Sequence, residues 1–277
     1  MSVRDPRLAE QIASLQQLSG VVAAMRGIAA TRAQQSRRQL EGVRAYAQIV
    51  ADSISQALGL LPPSWSEAPP PAGLPRACVL FCSEQGFVGT FNDVVCDAAE
   101  PHLAGGGQPF LVGSRGEHLL QARGHEPVWS TPMIAQPGSA LTLAERIGGA
   151  LVDALAAGRI GGAELIYATV DGARIDVVQH SLLPVESEHF PRSGSPPPLT
   201  YVPAPTLFRR LTEEYLRAEI AAAALESHVA ENQARTQAMA AAQDNIGNRL
   251  DQLHAEQRIA RQDAITDELI ELAVGVL

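Results

Sequence analysis

The sequence predicts an α/β insert carried on a long antiparallel two-helix coiled coil formed by its N- and C-terminal helices. Three observations predict it: where proline falls, a seven-residue beat in both proline-free ends, and alternating strand and helix signals between them. No proline occurs between Pro6 and Pro62 or after Pro205, so stretches of about 55 and 72 residues are open to continuous helix. The resulting division is a helix over 1–61, a Pro-rich linker over 62–76, an α/β domain of Rossmann-like character over 77–188, a second Pro-rich linker over 189–205, and a helix over 206–277.

The first helix places Leu8, Leu15, Val22, Ala29, Ser36, Val43, Val50 and Ala57 in one row. Ile12, Ser19, Arg26, Ala33, Leu40, Ala47, Ile54 and Leu61 form the other. Thirteen of these sixteen positions are apolar, the sustained pattern of a coiled-coil seam. The last helix repeats it with Leu211, Ala218, Leu225, Asn232, Met239, Ile246, Leu253 and Ala260, and with Tyr215, Ala222, Val229, Thr236, Gln243, Leu250, Gln257 and Ala264. Ala29, Ala33, Ser36, Ala218 and Ala222 are small enough for close backbone approach. Residues 1–61 carry seven arginines against four acids, and residues 206–277 seven against twelve, so the helices have opposite net charge. The second is about 17 residues longer, an overhang of roughly 25 Å at helical rise. Its last stretch, ARQDAITDELIELAVGVL, is apolar on more than one face and has only Gly275 to stop it. Such a tip needs cover from another molecule.

Between the helices, ACVLF (77–81) reads as a buried strand, followed by the turn SEQGFVG and a helix from about Phe91. PFLVG (109–113) is a second strand and EHLLQARG a helix; a weaker strand lies near PVWST, and LTLAERIGGALVDALAAG is a helix. ELIYATVDGARIDVVQHSLLPV reads as two strands joined at Asp171-Gly172, a hairpin signal. Strands separated by helices predict a mostly parallel sheet.

Composition narrows the chemistry. All 21 basic residues are arginine, which excludes a Walker-type phosphate loop and Schiff-base catalysis, both of which need a lysine amine. The net charge of −9 argues against a nucleic-acid partner, and the run Arg26, Arg32, Arg37, Arg38, Arg44 reads as a solvated face or a contact for an acidic protein. Cys78, Cys82 and Cys96 suit a reducing compartment and core packing. Neither they nor the scattered histidines have metal-ligand spacing, so no metal or cofactor is expected. No membrane span or signal core is expected either, which places the protein in the cytosol or at the cytosolic face of a membrane. The sharpest enzymatic candidate is a phosphate cradle at Ser83–Gly89. Its Gly-x-x-Gly spacing lacks a full dinucleotide fingerprint, and a tight turn is the plainer reading. A coiled-coil scaffold or adaptor with an α/β insert, and a nucleotide-binding protein with helical arms, both remain compatible with periodicity alone.

Several words then line up in order along nearly the whole chain. Met25-Arg26-Gly27-Ile28-Ala29-Ala30-Thr31-Arg32 resembles a word in the first helix of the F-type ATP synthase gamma subunit. Ser83-Glu84-Gln85-Gly86-Phe87-Val88-Gly89-Thr90-Phe91-Asn92 is similar to that family's Ser-Asp-x-Gly-Leu-x-Gly-x-x-Asn turn, and Val112-Gly113-Ser114-Arg115-Gly116 to its Val-Gly-x-Lys-Gly. Arg235-Thr236-Gln237-Ala238-Met239 with Asp244-Asn245 matches a later stretch. Arg261-Gln262-Asp263-Ala264-Ile265-Thr266-Asp267-Glu268-Leu269 resembles the family's C-terminal signature, its most specific word. Arg32 in place of lysine, Gly27 in place of methionine, Asp263 in place of alanine and Thr90-Phe91 in place of small glycines mark a divergent member, such as one from an alternate ATPase of the same type.

The resemblance implies a non-catalytic central rotor shaft. It would couple ion-driven rotation to ATP synthesis or hydrolysis in a ring of alpha and beta subunits. Its other implied partners are the epsilon subunit and the membrane c-ring, with a peripheral place at the cytoplasmic face of the bacterial inner membrane. By the same resemblance, Met25, Arg26, Arg32, Arg261, Gln262, Thr266 and Glu268 would contact beta-subunit loops. Leu269, Leu272 and Val276 would form a bearing tip covered by the ring.

Overall fold

The computed structural model describes residues 6–62, 73–172, 174–185, 190–191 and 199–274; the side chains of 6, 267, 268 and 271–274 lie outside that description. The chain contains helix α1 (Pro6–Leu58), strand β1 (Arg76–Phe81), helix α2 (Phe91–Ala104), strand β2 (Gln108–Val112), helix α3 (Glu117–Ala122) and strand β3 (Trp129–Thr131). Helix α4 (Ala140–Ala156), strands β4 (Gly162–Asp171) and β5 (Arg174–Leu183), and helix α5 (Ala204–Val274) complete it. Short 3₁₀ turns at Ser114–Gly116 and Pro137–Ser139 lead into α3 and α4. Two compact units are distinguished, Met1–Ala29 with Thr236–Leu277, and Ala30–Arg235.

In the larger unit the strand order is β3-β2-β1-β4-β5. The first four strands are parallel and β5 returns antiparallel to β4, with Asp171 opposite Arg174. The turn between them starts at Gly172, whose φ of 60° suits glycine. Every strand that needs a parallel neighbour is followed by a helix, because a parallel crossover has to pass over a sheet face. The crossovers β1–α2–β2 and β2–α3–β3 step outward in one direction, whereas β3–α4–β4 steps back across β1. A constant right-handed crossover therefore puts α4 on the face opposite α2 and α3.

Alternation along β1 sorts the core accordingly. Ala77, Val79 and Phe81 face α4 and the middle of α5, in one cluster with Phe110, Val112, Ile147, Leu165 and Leu225. Cys78, Leu80 and Cys82 face α2 and α3, with Val95, Leu103, Leu111 and Leu120. Residues 30–58 of α1 run antiparallel to α5 in this unit: Ser36 meets His228, Arg44 pairs with Glu226, and Tyr46 reaches Glu214. At the far end Val50, Ile54, Leu58 and Leu61 close on Phe190 and Phe208.

The smaller unit is the antiparallel pairing of the start of α1 with the later part of α5. Val22, Met239 and Ile246 are buried together, with Leu15, Met25, Ala242 and Leu250 packed around them. Almost every buried residue of α1 falls in the two heptad rows. Leu58 is the buried residue outside them; of the row positions Arg26 alone is exposed, and its neighbour Met25 turns inward. An α-helix of 3.6 residues per turn drifts against a strict seven-residue repeat, and here the seam has slipped by one position.

Helix α5 is 71 residues long against 53 for α1, and the mismatch shows in burial. Among the described side chains, Leu253 is the last buried one of α5. From 258 to 270 every side chain described is exposed except the half-exposed Ala264, including Ile259, Ile265, Leu269 and Ile270 at 53–61%.

Candidate functional site: the sheet crevice and the long helix

In open α/β sheets, ligands bind outside the carboxyl ends of the strands, where the strand order reverses. Here that switch lies between β1 and β4, and the turn Ser83–Gly89 leaves β1 beside it. Two features of the chain itself fill the place of a ligand.

The first is Glu84. Its carboxylate accepts from the backbone N–H of Ser114 (3.2 Å) and of Met133 (3.0 Å), and from Ser114 Oγ (3.0 Å). The loops that follow β1, β2 and β3 are thereby tied to one internal anion. The Ser114 and Met133 amides are thereby satisfied from within the chain. Gly113 makes the closure possible. Its φ is 90°, and a Cβ there would stand 2.1 Å from the Cys82 carbonyl oxygen, so no larger residue fits. Asn92 fixes the other end of the turn, accepting from Ser83 N (2.8 Å) and donating to Ser83 Oγ (3.0 Å).

The second is α5. Ser227 Oγ donates to the Phe81 carbonyl at the end of β1 (3.2 Å), and Ala230 and Ala234 pack in the cluster that holds Val88. Arg235 then grips the turn. Its Nε donates to Gly86 O (3.2 Å) and its Nη2 to Gln85 O (3.1 Å). The guanidinium is held from behind by Glu231 Oε1 (2.7 Å) and Asn232 Oδ1 (3.1 Å). A phosphate cradle presents N–H groups to its ligand. This turn presents carbonyl oxygens to a cation. Both members of the Arg235–Glu231 pair are nearly fully buried, and burial pushes the Glu231 carboxyl up from its ordinary value despite Arg235 and the Gln85 N–H.

A polar string continues along α5 toward α1. His228 Nδ1 meets Ser36 Oγ at 2.7 Å, and Asn232 Nδ2 lies 3.2 Å from Nε2 while also donating to the His228 carbonyl (2.8 Å). Donation into Nε2 leaves Nδ1 to carry the proton toward Ser36. Burial, reinforced by the charges of Arg32 and Arg235, lowers the His228 pKa from 6.5 to about 4. Between those values the unfolded chain binds a proton that the folded chain refuses, so stability rises with pH through that window. Replacing His228 by Gln is expected to flatten a pH dependence on the order of 3 kcal/mol between pH 4 and 7 in urea unfolding. An unchanged slope would show that His228 is not its source.

The turn tip is strained and bare. Phe87 has φ 63°, in the left-handed region, and is 66% exposed. A bulky residue held there costs on the order of 1–3 kcal/mol, which the Arg235 and Asn92 anchors offset.

The residues singled out in the sequence fall in different places. Met25 is half-buried in the Val22–Met239–Ile246 cluster, and Arg26 reaches Gln243 Oε1 at 3.5 Å. Arg32 is half-buried and lines a polar recess with Gln35, Gln39 and Ala135–Gly138. Arg261, Gln262, Thr266 and Leu269 are exposed on successive turns of α5, where Thr266 Oγ1 bonds back to Gln262 O. The side chains of Glu268 and Leu272, and all of Val276, lie outside the described residues. The buried line Ser227, His228, Glu231 was missed. Its signal was AAAALESHVAENQAR, a polar sprinkling in a run too apolar for one helix face.

Among known proteins, a family model described as ATP synthase matches residues 6–276. An ATP synthase gamma chain from Erythrobacter litoralis is 27% identical over 284 residues, covering 97% of each chain. One from Moorella thermoacetica is 26% identical over 275 residues, covering 97% of this chain and 96% of the relative. Two solved structures share the fold. One is from the central stalk and c-ring of the Tetrahymena thermophila mitochondrial ATP synthase (TM-score 0.56, 21% identity, 80% of this chain and 99% of that one). The other is from the rotor of the Euglena gracilis enzyme (TM-score 0.62, 10% identity, 94% and 98%). With a family model spanning the chain and relatives aligned from end to end, the chain belongs to the ATP synthase gamma family.

Proposed function

We propose that this chain is the central shaft of a rotary ATP synthase. It turns within a ring of alpha and beta subunits and stands on the epsilon subunit and the membrane c-ring, peripheral to the cytoplasmic face of a bacterial inner membrane. The supporting observation is the stretch of α5 from Arg258 to Ile270, whose described side chains are nearly all exposed, with apolar residues on several faces and, among the described residues, no buried position against a partner helix. A surrounding sleeve covers such a helix on every side and lets it turn, because apolar contacts are non-directional. Among the described residues no helix is long and apolar enough to cross a membrane, so contact with the bilayer is assigned to the c-ring.

In this reading the chain carries out no chemistry. Its asymmetry favours a different conformation of the ring at each angle, and rotation converts that differential contact energy into altered nucleotide affinity. The filled crevice supports this, since Glu84 and Arg235 make a rigid joint where a related sheet would hold a ligand. Arg26, Arg32, Arg261, Gln262, Thr266 and Glu268 are proposed to meet beta-subunit loops, and half-buried Met25 to brace that part of the shaft. Leu269, Leu272 and Val276 are proposed as the bearing tip.

Phe87 is proposed as an additional contact, being apolar, exposed and strained at the end of an anchored turn. Phe87→Gly is expected to stabilise the isolated chain by about 1 kcal/mol while weakening its hold on the assembled complex. Urea unfolding of the chain and the subunit-exchange rate of the complex check the two halves separately. Co-purification tests the reading as a whole. Tagged chain expressed with alpha, beta and epsilon homologues is expected to recover all three, and recovery of none contradicts it.

A further inference from the structure

Helix α4 is flanked by two recesses that run together. One, of about 460 Å³, opens between α4, α1 and α5. The other, of about 300 Å³, opens between α4, α5 and the end of β5. Glu145 of α4 and Arg217 of α5 line both, so the two form one groove, with mostly apolar walls. Tyr46, Leu141 and Val152 stand along it, 43–62% exposed.

Glycine marks the same place. In the larger unit the glycines inside α-helices are Gly42, Gly148 and Gly149, and all three line this groove. A Cβ added at any of them would have nothing outside its own stretch of helix within 4 Å. Glycine is a poor helix former, and no contact within the chain calls for it at these positions. What the three missing side chains leave is depth. The charges around the groove are also unmatched from within. Glu214 is satisfied, since Tyr46 Oη donates to its Oε2 (3.2 Å) and Arg217 Nη1 to its Oε1 (3.1 Å). Glu145, Glu213 and Arg38 make no hydrogen bond or ion pair among the described residues.

We propose that this groove docks an amphipathic helix of a partner protein, which lays an apolar stripe along α4 and sets a basic side chain over Glu145 and Glu213. Such recognition needs an apolar trough, room for the incoming backbone, and rim charges that fix its direction. Leu141, Glu145, Gly148 and Val152 follow at spacings of four, three and four, so they share the face of α4 that a further helix would meet. Glycine on α4 and on α1 lets that helix approach closely. Arg38 lines only the first recess and Glu213 only the second, so the occupant's acidic end belongs toward α1 and its basic end toward β5. On α5 the groove ends at Ile220, about ten turns before Arg258, so this partner is separate from the ring proposed for that end.

Fluorescence anisotropy on the purified full chain tests this, with two labelled helical peptides of about 18 residues as probes. Both carry the same leucine stripe; one has glutamate at one end and lysine at the other, and the second has glutamate at every charged position. The mixed-charge peptide is expected to bind at micromolar concentration and the all-glutamate peptide about tenfold or more weakly, a gap that narrows with added salt. Equal binding of the two, or no binding of the first at about 1 mM, would overturn the proposal. Gly42→Leu with Gly148→Leu fills the groove. It is expected to raise the urea midpoint of the chain while weakening the mixed-charge peptide at least about twentyfold, and these opposite signs separate a blocked site from a damaged fold. Binding unchanged by the leucines would place the peptide elsewhere and overturn the proposal. Glu145→Gln with Glu213→Gln, on exposed surface, carries the test even if the leucines disturb packing. It is expected to cost the mixed-charge peptide about tenfold, and no loss would likewise overturn the assignment. The isolated chain suffices throughout, so failure of the groove leaves the shaft reading to be decided by co-purification.

Discussion

Arg235→Ala is expected to destabilise the chain by about 3–5 kcal/mol, because it removes one member of a buried ion pair and leaves the other uncompensated. The guanidinium makes four hydrogen bonds, two of them to the turn carbonyls of Gln85 and Gly86. Without it Glu231, which burial already pushes toward the neutral form, must fold protonated. The sign of the pH effect follows. The unfolded chain releases the Glu231 proton at its ordinary value and the folded variant only higher, so stability falls as pH rises through the gap. The loss is therefore expected to be larger at pH 8 than at pH 5.5, and adding Glu231→Gln is expected to recover part of it and to remove the difference. Urea unfolding of the single and double variants at both pH values checks this. A loss below about 1 kcal/mol that does not change with pH would mean that the turn is not held by this pair.

Leu269→Asp with Ile270→Asp is expected to leave the isolated chain as stable as before and to cut the yield of assembled complex about a hundredfold. Both side chains stand more than half exposed on α5, so charges there cost the chain itself nothing of note. In a dry sleeve the same two charges would be unpaired, at several kcal/mol each. Deleting residues 270–277 is expected to be milder, since it removes contacts without burying charge. Gel filtration of the co-expressed subunits measures both yields. Wild-type yield from the double aspartate chain would place this end of α5 in water.

How much of this was legible in the sequence depended on how many neighbours each helix has. For α1, with one long neighbour along its seam, Ile12, Val22, Ala33, Leu40, Val50 and Ile54 appear in the heptad rows and are buried. The strands were legible too: β1 and β2 are buried on both faces and read as short apolar runs, and β4 with β5 read as a hairpin about Asp171-Gly172. In α5 the reading gave only half the answer. From Ile220 to Asn232 every residue is buried, because the sheet covers the face that α1 leaves open. A helix between two partners has no solvated stripe to set its period. Glu226, His228 and Glu231 fall outside both heptad rows, and their partners Arg44, Ser36 and Arg235 are set by tertiary contact or by a spacing common on any helix. The turn Ser83–Asn92 was visible as a glycine-rich word, but its spacing did not say whether it faces a phosphate or an arginine. Only the direction of its carbonyls decides that.

Single-molecule rotation tests the shaft most directly. The chain would be co-assembled with its alpha and beta subunits, the ring fixed to a surface, and a bead attached through a cysteine introduced at exposed Val152 of α4 in a background lacking the three native cysteines. On adding ATP, the account predicts one-way turning of the bead at a rate that follows hydrolysis. A complex that assembles and hydrolyses ATP while the bead stays still would contradict it.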